Sequence, residues 1–118
     1  MAKVLIVDDS RTSRKILRTI LEGAGHEVVG EAVDGSDGYI KYKQLSPDVT
    51  TLDITMPVMD GLEALKVIKN FDKDVKIIMV TAAGQQSKMV EAIKNGANEF
   101  VTKPFEADDI LKLIDKLS

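Results

Sequence analysis

Residues 49–61 read Val-Thr-Thr-Leu-Asp-Ile-Thr-Met-Pro-Val-Met-Asp-Gly and combine a strand signal with a break in the chain. The run that ends at Asp53 is rich in β-branched residues, which favour strands. Pro57 interrupts this pattern, and Asp60-Gly61 predicts a turn. The stretch therefore places one carboxylate, that of Asp53, at the carboxyl end of a strand, where open α/β sheets bind their ligands.

Four further runs have the length and the apolar or β-branched content of buried strands. They cover residues 3–7, 27–31, 75–80 and 99–102. Between these runs and after the last of them, apolar residues recur at the spacing of one helix face, which predicts five helices. We expect these helices over residues 11–23, 36–45, from Asp60 onward, 85–95 and 107–117. This alternation predicts an α/β fold with a parallel sheet and right-handed crossovers.

Two of the predicted helices carry features with structural consequences. In the fourth helix, Met89, Val90 and Ile93 are expected to face the core. Gly38 lies inside the second helix, where a glycine lowers helix stability by about 1 kcal/mol relative to alanine. We therefore expect the second helix to be the weakest of the five.

The composition excludes several classes of protein. The chain has 118 residues with a formal net charge of −3, so it lacks the basic excess of a dedicated nucleic-acid surface. It contains no cysteine and a single histidine, His26, which excludes disulfides, thiolate or multi-histidine metal sites and a histidine-based triad. The apolar N-terminal run is too short for a signal or membrane segment. We expect residues 1–118 to form one cytoplasmic domain without an output domain.

Polar residues stand where the predicted strands end. Asp8 and Asp9 follow the first strand, Asp53 ends the third, Thr81 follows the fourth and Lys103 follows the fifth. Carboxyl ends of parallel strands share one edge of a sheet, so these side chains are expected to converge. Taken singly, each has an ordinary explanation as a turn residue, a helix cap or a solvated edge residue. Their coincidence at four strand ends favours a functional site.

Three converging carboxylates require a cation, and carboxylate oxygens with water are the ligands that Mg²⁺ prefers. A carboxylate such as that of Asp53 can attack phosphorus to give an aspartyl phosphate. Lys103 would offset charge on the transferring phosphoryl group, and Thr81 could donate a hydrogen bond to one of its oxygens. The residues therefore indicate phosphoryl transfer.

The chain resembles the receiver domain of two-component response regulators, and most of all the stand-alone CheY-type chemotaxis regulators. The resemblance covers the whole chain. It rests on Val-Leu-Ile-Val-Asp-Asp at 4–9, Leu-Asp-Ile-Thr-Met-Pro-Val-Met-Asp-Gly at 52–61, Val-Thr-Ala at 80–82, Gly-Gln-Gln at 84–86, Gly-Ala at 96–97 and Lys-Pro-Phe at 103–105. It implies a flavodoxin-like, doubly wound (βα)5 fold with strand order 2-1-3-4-5.

The resemblance also implies roles for individual residues. Asp53 would accept phosphate from a sensor histidine kinase, with Thr81 and Lys103 binding the phosphoryl oxygens. Mg²⁺ would be held by Asp8, Asp9, Asp53 and the backbone carbonyl of Thr55. The peptide bond before Pro104 would be cis.

The resemblance further implies a conformational switch. Thr81 would shift inward on phosphorylation, and the aromatic residue of the fifth strand, here Phe100, would follow. This movement would remodel a surface that binds a target such as a flagellar motor switch protein. The protein would act as a monomer. Phe100 has no hydroxyl, so it could equally be an ordinary core aromatic.

Two further functions remain open at this stage. The protein could be a phosphorelay intermediate that passes its phosphate to a histidine phosphotransfer protein. A metal-dependent phosphatase with an aspartyl nucleophile would need a second Asp two residues after the nucleophile, where this chain has Thr55. We therefore expect a protein that catalyses only its own phosphorylation and dephosphorylation, and not an enzyme acting on other substrates.

Overall fold

A computed structural model describes all 118 residues as five strands that alternate with five helices. The elements are β1 (Lys3–Val7), α1 (Arg11–Gly23), β2 (Glu27–Ala32), α2 (Gly35–Leu45), β3 (Val49–Asp53), α3 (Gly61–Phe71), β4 (Ile77–Thr81), α4 (Gln86–Lys94), β5 (Glu99–Thr102) and α5 (Ala107–Leu117). All strand pairs are parallel, and the sheet order is β2-β1-β3-β4-β5. The predicted fold and strand order are confirmed. No helix has the length and apolar character needed to cross a membrane.

The sheet is covered on both faces, which explains why its central strands are buried along their whole length rather than at alternate residues. Every residue of β3 and β4 is buried. One core cluster packs α1 and α5 against one face of the sheet through Leu17, Leu21, Ile110 and Ile114. The other cluster packs α2, α3 and α4 against the opposite face. The carboxyl edge of the sheet is left for loops, and this edge carries the polar strand ends.

Side-chain caps fix the start of three helices close to that edge. The Ser10 side chain accepts from the Ser13 backbone N–H at the start of α1. Asp34 caps α2 in the same way, and Asp60 caps α3 as predicted, with 2.9 Å between its Oδ1 and the Glu63 nitrogen. Each cap satisfies an N–H group that the helix itself leaves unpaired. The caps therefore fix the residues at which the loops after β1, β2 and β3 end and the following helices begin.

The glycine in α2 has a packing role. A Cβ built on Gly38 would lie 2.8 Å from Cγ1 of Val7, so the glycine permits a close approach of α2 to β1. The helix is continuous through this residue. The loss of helix propensity at Gly38 is thus accompanied by closer packing against the sheet.

The predicted orientation of α4 is wrong. Only Ala92 of this helix is buried, whereas Val90 and Ile93 are 54% and 44% exposed and Met89 is half-buried. Helical spacing shows that these apolar residues share a face, but packing decides which face meets the sheet. Here the small Ala92 makes the close contact, and the larger apolar side chains are turned toward solvent.

Candidate functional site

The structure brings three carboxylates together at the carboxyl edge of the sheet. Oxygens of Asp8, Asp9 and Asp53 all lie within 4.8 Å of one another. Asp8 and Asp53 are buried and Asp9 is exposed. We call these three residues the carboxylate cluster. Asp8 and Asp53 are 45 residues apart in sequence, but they directly follow Val7 and Leu52, which are register partners in the parallel strands β1 and β3.

Lys103 reaches the same cluster from the loop after β5. Its Nζ donates to Oδ2 of Asp8 at 3.0 Å and lies 3.9 Å from Oδ2 of Asp53. It also donates to Oγ of Ser13 at 3.1 Å. The Lys103–Pro104 peptide bond is cis, as the resemblance implies. No sequence pattern pointed to Ser13, because a serine in the first turn of a helix is common.

The cluster changes the acidity of its central residue. Burial, followed by repulsion from Asp8 and Asp9, raises the pKa of Asp53 from its ordinary value of 3.8 to about 6. Attraction to Lys103 and the hydrogen bond from the Ile54 N–H oppose this rise in pKa. The carboxylates therefore repel one another more than the single ammonium group can offset, which is the electrostatic condition for binding a cation.

The loop after β3 follows Asp53 directly and contains Thr55. No hydrogen bond is made to the backbone carbonyl of Thr55, which leaves it available as a ligand. The loop returns tightly, because the Gly61 N–H donates to the Ile54 carbonyl at 2.7 Å. A Cβ on Gly61 would collide with the Asp53 carbonyl oxygen and the Ile54 Cα. Gly61 is therefore required for close backbone approach at the first residue of α3.

Thr81 ends β4 beside the cluster. It stands one residue beyond Val80, the register partner of Asp53, and is 1% exposed. Its hydroxyl lies 3.0 Å from the Ala82 carbonyl oxygen and 3.2 Å from Oε1 of Gln85. Thr81 is predictable from its place at a strand end, whereas Gln85 stands out in the sequence only as part of the Gly-Gln-Gln motif.

Phe100 lies away from the carboxylate cluster, on the outer surface of β5. It is 44% exposed, so of the two interpretations left open by the sequence, that of an ordinary core aromatic is wrong. With Met89, Val90, Ile93 and Lys94 it lines an apolar cleft of about 400 Å³. We call this surface the α4–β5 cleft. Its apolar side chains are available for contact with another molecule.

Comparison with known proteins agrees with the resemblance drawn from the motifs. The family model of the response regulator receiver domain matches residues 4–115. The chemotaxis protein CheY of Thermotoga maritima is 47% identical over 116 residues, which span 98% of this chain and 97% of that protein. CheY of Bacillus subtilis is 50% identical over 114 residues, or 97% of this chain and 95% of that protein.

Solved structures give the same result for the fold. The CheX-CheY-BeF3-Mg²⁺ complex from Borrelia burgdorferi contains a chain that superposes with a TM-score of 0.92 at 38% identity. The match covers 97% of this chain and 87% of that chain. The likeness therefore includes the fold and the sequence over nearly the full length.

Proposed function

This chain belongs to the response regulator receiver domain family and is closely related to the CheY chemotaxis proteins, and on that premise we propose that Asp53 is its phosphorylation site. The phosphodonor would be a sensor histidine kinase of a chemotaxis system. The observation that carries the proposal is the position of Asp53. Its buried carboxylate lies between two further carboxylates and an ammonium group at the sheet edge where ligands of this fold bind.

The proposed step is a displacement at phosphorus. A carboxylate oxygen of Asp53 forms a bond to phosphorus while the bond to the donor's imidazole nitrogen breaks, and the imidazole leaves with the electron pair and takes a proton. Asp53 must be ionised to act as the nucleophile. With its pKa at about 6, most Asp53 side chains are ionised at neutral pH. Hydrolysis of the resulting acyl phosphate by water would return the carboxylate.

Two side chains are placed to assist the transfer. The Lys103 ammonium, 3.9 Å from Asp53 Oδ2, would offset negative charge on the phosphoryl oxygens. Its hydrogen bonds to Asp8 and Ser13 hold the flexible stem in this position. Thr81 has a buried hydroxyl that would donate to one phosphoryl oxygen once its present contacts are released.

The carboxylate cluster also fits a magnesium ion, which receiver domains use. The residues that would hold it are Asp8, Asp9, Asp53 and the free carbonyl of Thr55, all of them oxygen ligands. Burial is the largest cause of the raised pKa of Asp53, and repulsion from Asp8 and Asp9, which Lys103 only partly offsets, adds to it. This repulsion supports the assignment of a cation site. When bound, Mg²⁺ would offset charge on these carboxylates and on the transferring phosphoryl group.

The α4–β5 cleft is the proposed surface for a phosphorylation-dependent protein target, such as a component of the flagellar motor switch. Its exposed apolar side chains, Phe100 among them, support this assignment. Since Phe100 has no hydroxyl, a change in this surface would act through packing. The Borrelia burgdorferi relative was solved together with CheX, which establishes a protein partner for that protein.

Phosphate labelling with a small acyl-phosphate donor and Mg²⁺ tests the proposal. The wild type should gain one acid-stable, base-labile phosphoryl group, and Asp53→Asn should gain none. Asp60→Asn is the matched control, since it removes the same charge outside the cluster and asparagine still caps a helix. Equal labelling of Asp53→Asn and wild type would refute the assignment of Asp53.

The same labelled protein separates the two roles that share this chemistry. A regulator should bind a motor-switch peptide more tightly when phosphorylated and should lose its phosphate to water. A phosphorelay intermediate should instead transfer its phosphoryl group to a histidine phosphotransfer domain. We propose the regulator role, because this chain is 47% and 50% identical to two CheY chemotaxis proteins over 98% and 97% of its length.

A further inference from the structure

Gln85 makes hydrogen bonds that its position in the chain does not require. It stands at the N-cap of α4 but its side chain caps no backbone N–H of that helix. Its carboxamide is turned back toward the sheet edge. There Oε1 accepts from the Thr81 hydroxyl at 3.2 Å and from the Ala82 N–H at 3.0 Å. Its Nε2 donates to the Thr55 hydroxyl at 2.5 Å.

One carboxamide oxygen therefore engages two donors at the end of β4, beside Asp53. A threonine hydroxyl has a single proton to donate. In this structure that proton is directed to Oε1 of Gln85 or to the Ala82 carbonyl, 3.0 Å away. It cannot serve a phosphoryl oxygen on Asp53 at the same time. The Thr55 hydroxyl holds the other end of the carboxamide and so keeps the oxygen in place.

We propose that Gln85 is a positioning residue that occupies the Thr81 and Ala82 donors in the unphosphorylated protein, and that its carboxamide must withdraw before they can bind a phosphoryl group on Asp53. The inference rests on the proposed phosphorylation of Asp53. Gln85 then competes with the phosphoryl group for the same hydrogen bonds. It lowers the rate of phosphorylation and favours the unphosphorylated arrangement.

Withdrawal of the Gln85 carboxamide can change the position of α4, whose side chains line the α4–β5 cleft. Gly84, just before it, has a φ of +88° and open space around it, so the backbone can reorient there. Helix α4 has only Ala92 buried and no side-chain cap at its N-terminus. A carboxamide released from Thr55 and Thr81 could cap the first turn of α4. Occupation of the phosphoryl site and the position of α4 are coupled through this one side chain.

The test compares two substitutions that leave the size of the side chain nearly unchanged. Gln85→Leu removes the acceptor, so labelling of Asp53 by an acyl-phosphate donor with Mg²⁺ should be about 2- to 10-fold faster, the range set by one or two released hydrogen bonds. Gln85→Glu keeps an acceptor and charges it, which strengthens the hydrogen bonds from Thr81 and Ala82. Its second oxygen can accept from the Thr55 hydroxyl, in place of the donation by Nε2. Its labelling should be at least about 2-fold slower than that of the wild type.

Gln86 supplies matched controls, because it is exposed, adjacent in sequence and makes no side-chain hydrogen bond. Gln86→Leu and Gln86→Glu should label within about 1.5-fold of the wild type, a change well below the value of one hydrogen bond. They report any effect of added hydrophobicity or charge near the site. Far-ultraviolet circular dichroism and thermal unfolding confirm that each variant is folded before its rate is compared.

A second readout examines the contact itself. In the unphosphorylated protein, the Ala82 amide proton should move upfield in Gln85→Leu, as expected for loss of a hydrogen bond, and should not move in Gln86→Leu. Thr55→Val removes the acceptor for Nε2 and should also raise the labelling rate. Combined with Gln85→Leu it should add nothing further, because both substitutions release the same carboxamide.

The outcomes distinguish the inference from the function on which it rests. If the wild type is labelled at Asp53 but Gln85→Leu is no faster, or if both Gln85 variants are slower, the inference is refuted and the proposed function stands. If no variant takes up a phosphoryl group at Asp53, the proposed function fails and this inference fails with it. Faster labelling of Gln85→Leu with slower labelling of Gln85→Glu supports the inference.

Discussion

Replacement of Asp53 by asparagine should stabilise the metal-free protein at neutral pH. The wild-type carboxylate is buried beside Asp8 and Asp9, and its pKa is raised from 3.8 to about 6. A raised pKa means that the fold disfavours the ionised form relative to the unfolded chain. Asparagine has nearly the same shape, can still accept from the Ile54 N–H and carries no charge. Asp53→Asn should therefore lose the proposed phosphorylation and at the same time make the metal-free fold more stable.

The magnitude follows from the pKa of Asp53. At about 1.36 kcal/mol per pKa unit, a rise from 3.8 to about 6 corresponds to about 3 kcal/mol of unfavourable ionisation in the folded state. The cluster opens to solvent at the exposed Asp9, and water screens part of this repulsion. The pKa of about 6 already includes the attraction between Asp53 and Lys103, so the loss of this ion pair in the variant requires no further subtraction. We expect a net gain of about 1–2 kcal/mol in the free energy of unfolding.

The effect has a defined pH window. Because the pKa of Asp53 is higher in the folded state, its protonation contributes stability that is fully present below about pH 4. That contribution is lost as the pH rises through about 6. The difference in unfolding free energy between Asp53→Asn and wild type should therefore grow between pH 4 and pH 7 and stay constant above it.

Urea denaturation in the presence of a chelator, followed by circular dichroism between pH 4 and pH 8, measures this difference. Asp74→Asn is the control for net charge, because Asp74 is exposed and precedes β4, at the opposite edge of the sheet from Asp53. It should change stability by less than about 0.5 kcal/mol at every pH. An Asp53→Asn variant that is less stable than wild type at pH 7, or whose difference is the same at pH 4 and pH 7, would refute the reasoning.

Three other perturbations have expected outcomes. Gly38→Ala should destabilise the protein by about 1 kcal/mol in the same urea assay, because overlap of the new Cβ with Val7 outweighs the gain in helix propensity. In the control variant Gly23→Ala the new Cβ meets no other atom, so this variant should be about 0.5 kcal/mol more stable than the wild type. Thr51→Val should stabilise the protein by about 1 kcal/mol, since the buried Thr51 hydroxyl has no hydrogen-bond partner; an unchanged or lower midpoint would contradict this. Mg²⁺ at ten times its dissociation constant should add about 1.4 kcal/mol to the unfolding free energy of the wild type. The variant Asp9→Asn should need a higher Mg²⁺ concentration for the same gain. If Mg²⁺ does not stabilise the wild type, the metal site is refuted.

The sequence was sufficient to bring the main site residues together because topology alone determines where strand ends lie. Asp8 and Asp53 end parallel strands that pair directly, so their convergence requires only the correct strand order. Lys103 is 95 residues from Asp8 in sequence, yet it lies 3.0 Å away for the same reason. The helix start at Asp60 was predictable because capping is a local interaction.

Residues that act through side-chain conformation could not be predicted in this way. Ser13 contacts Lys103 only because α1 begins at a particular distance from the cluster. The contacts of Gln85 depend on a loop whose course is set by a positive φ at Gly84 and on a side chain with three rotatable bonds. Neither residue type is unusual at its position. Tertiary geometry, rather than composition or spacing, gives both residues their contacts.

The wrong orientation predicted for α4 identifies a property of this helix. In an amphipathic helix of a stable core, the large apolar side chains face the sheet and contribute most of the burial energy. In α4 they face solvent, and Ala92 alone is buried. A helix with so little buried surface can change position at a small cost in free energy. The few hydrogen bonds that Gln85 makes are of the same order, so under the role proposed for Gln85 their loss would be sufficient to move α4.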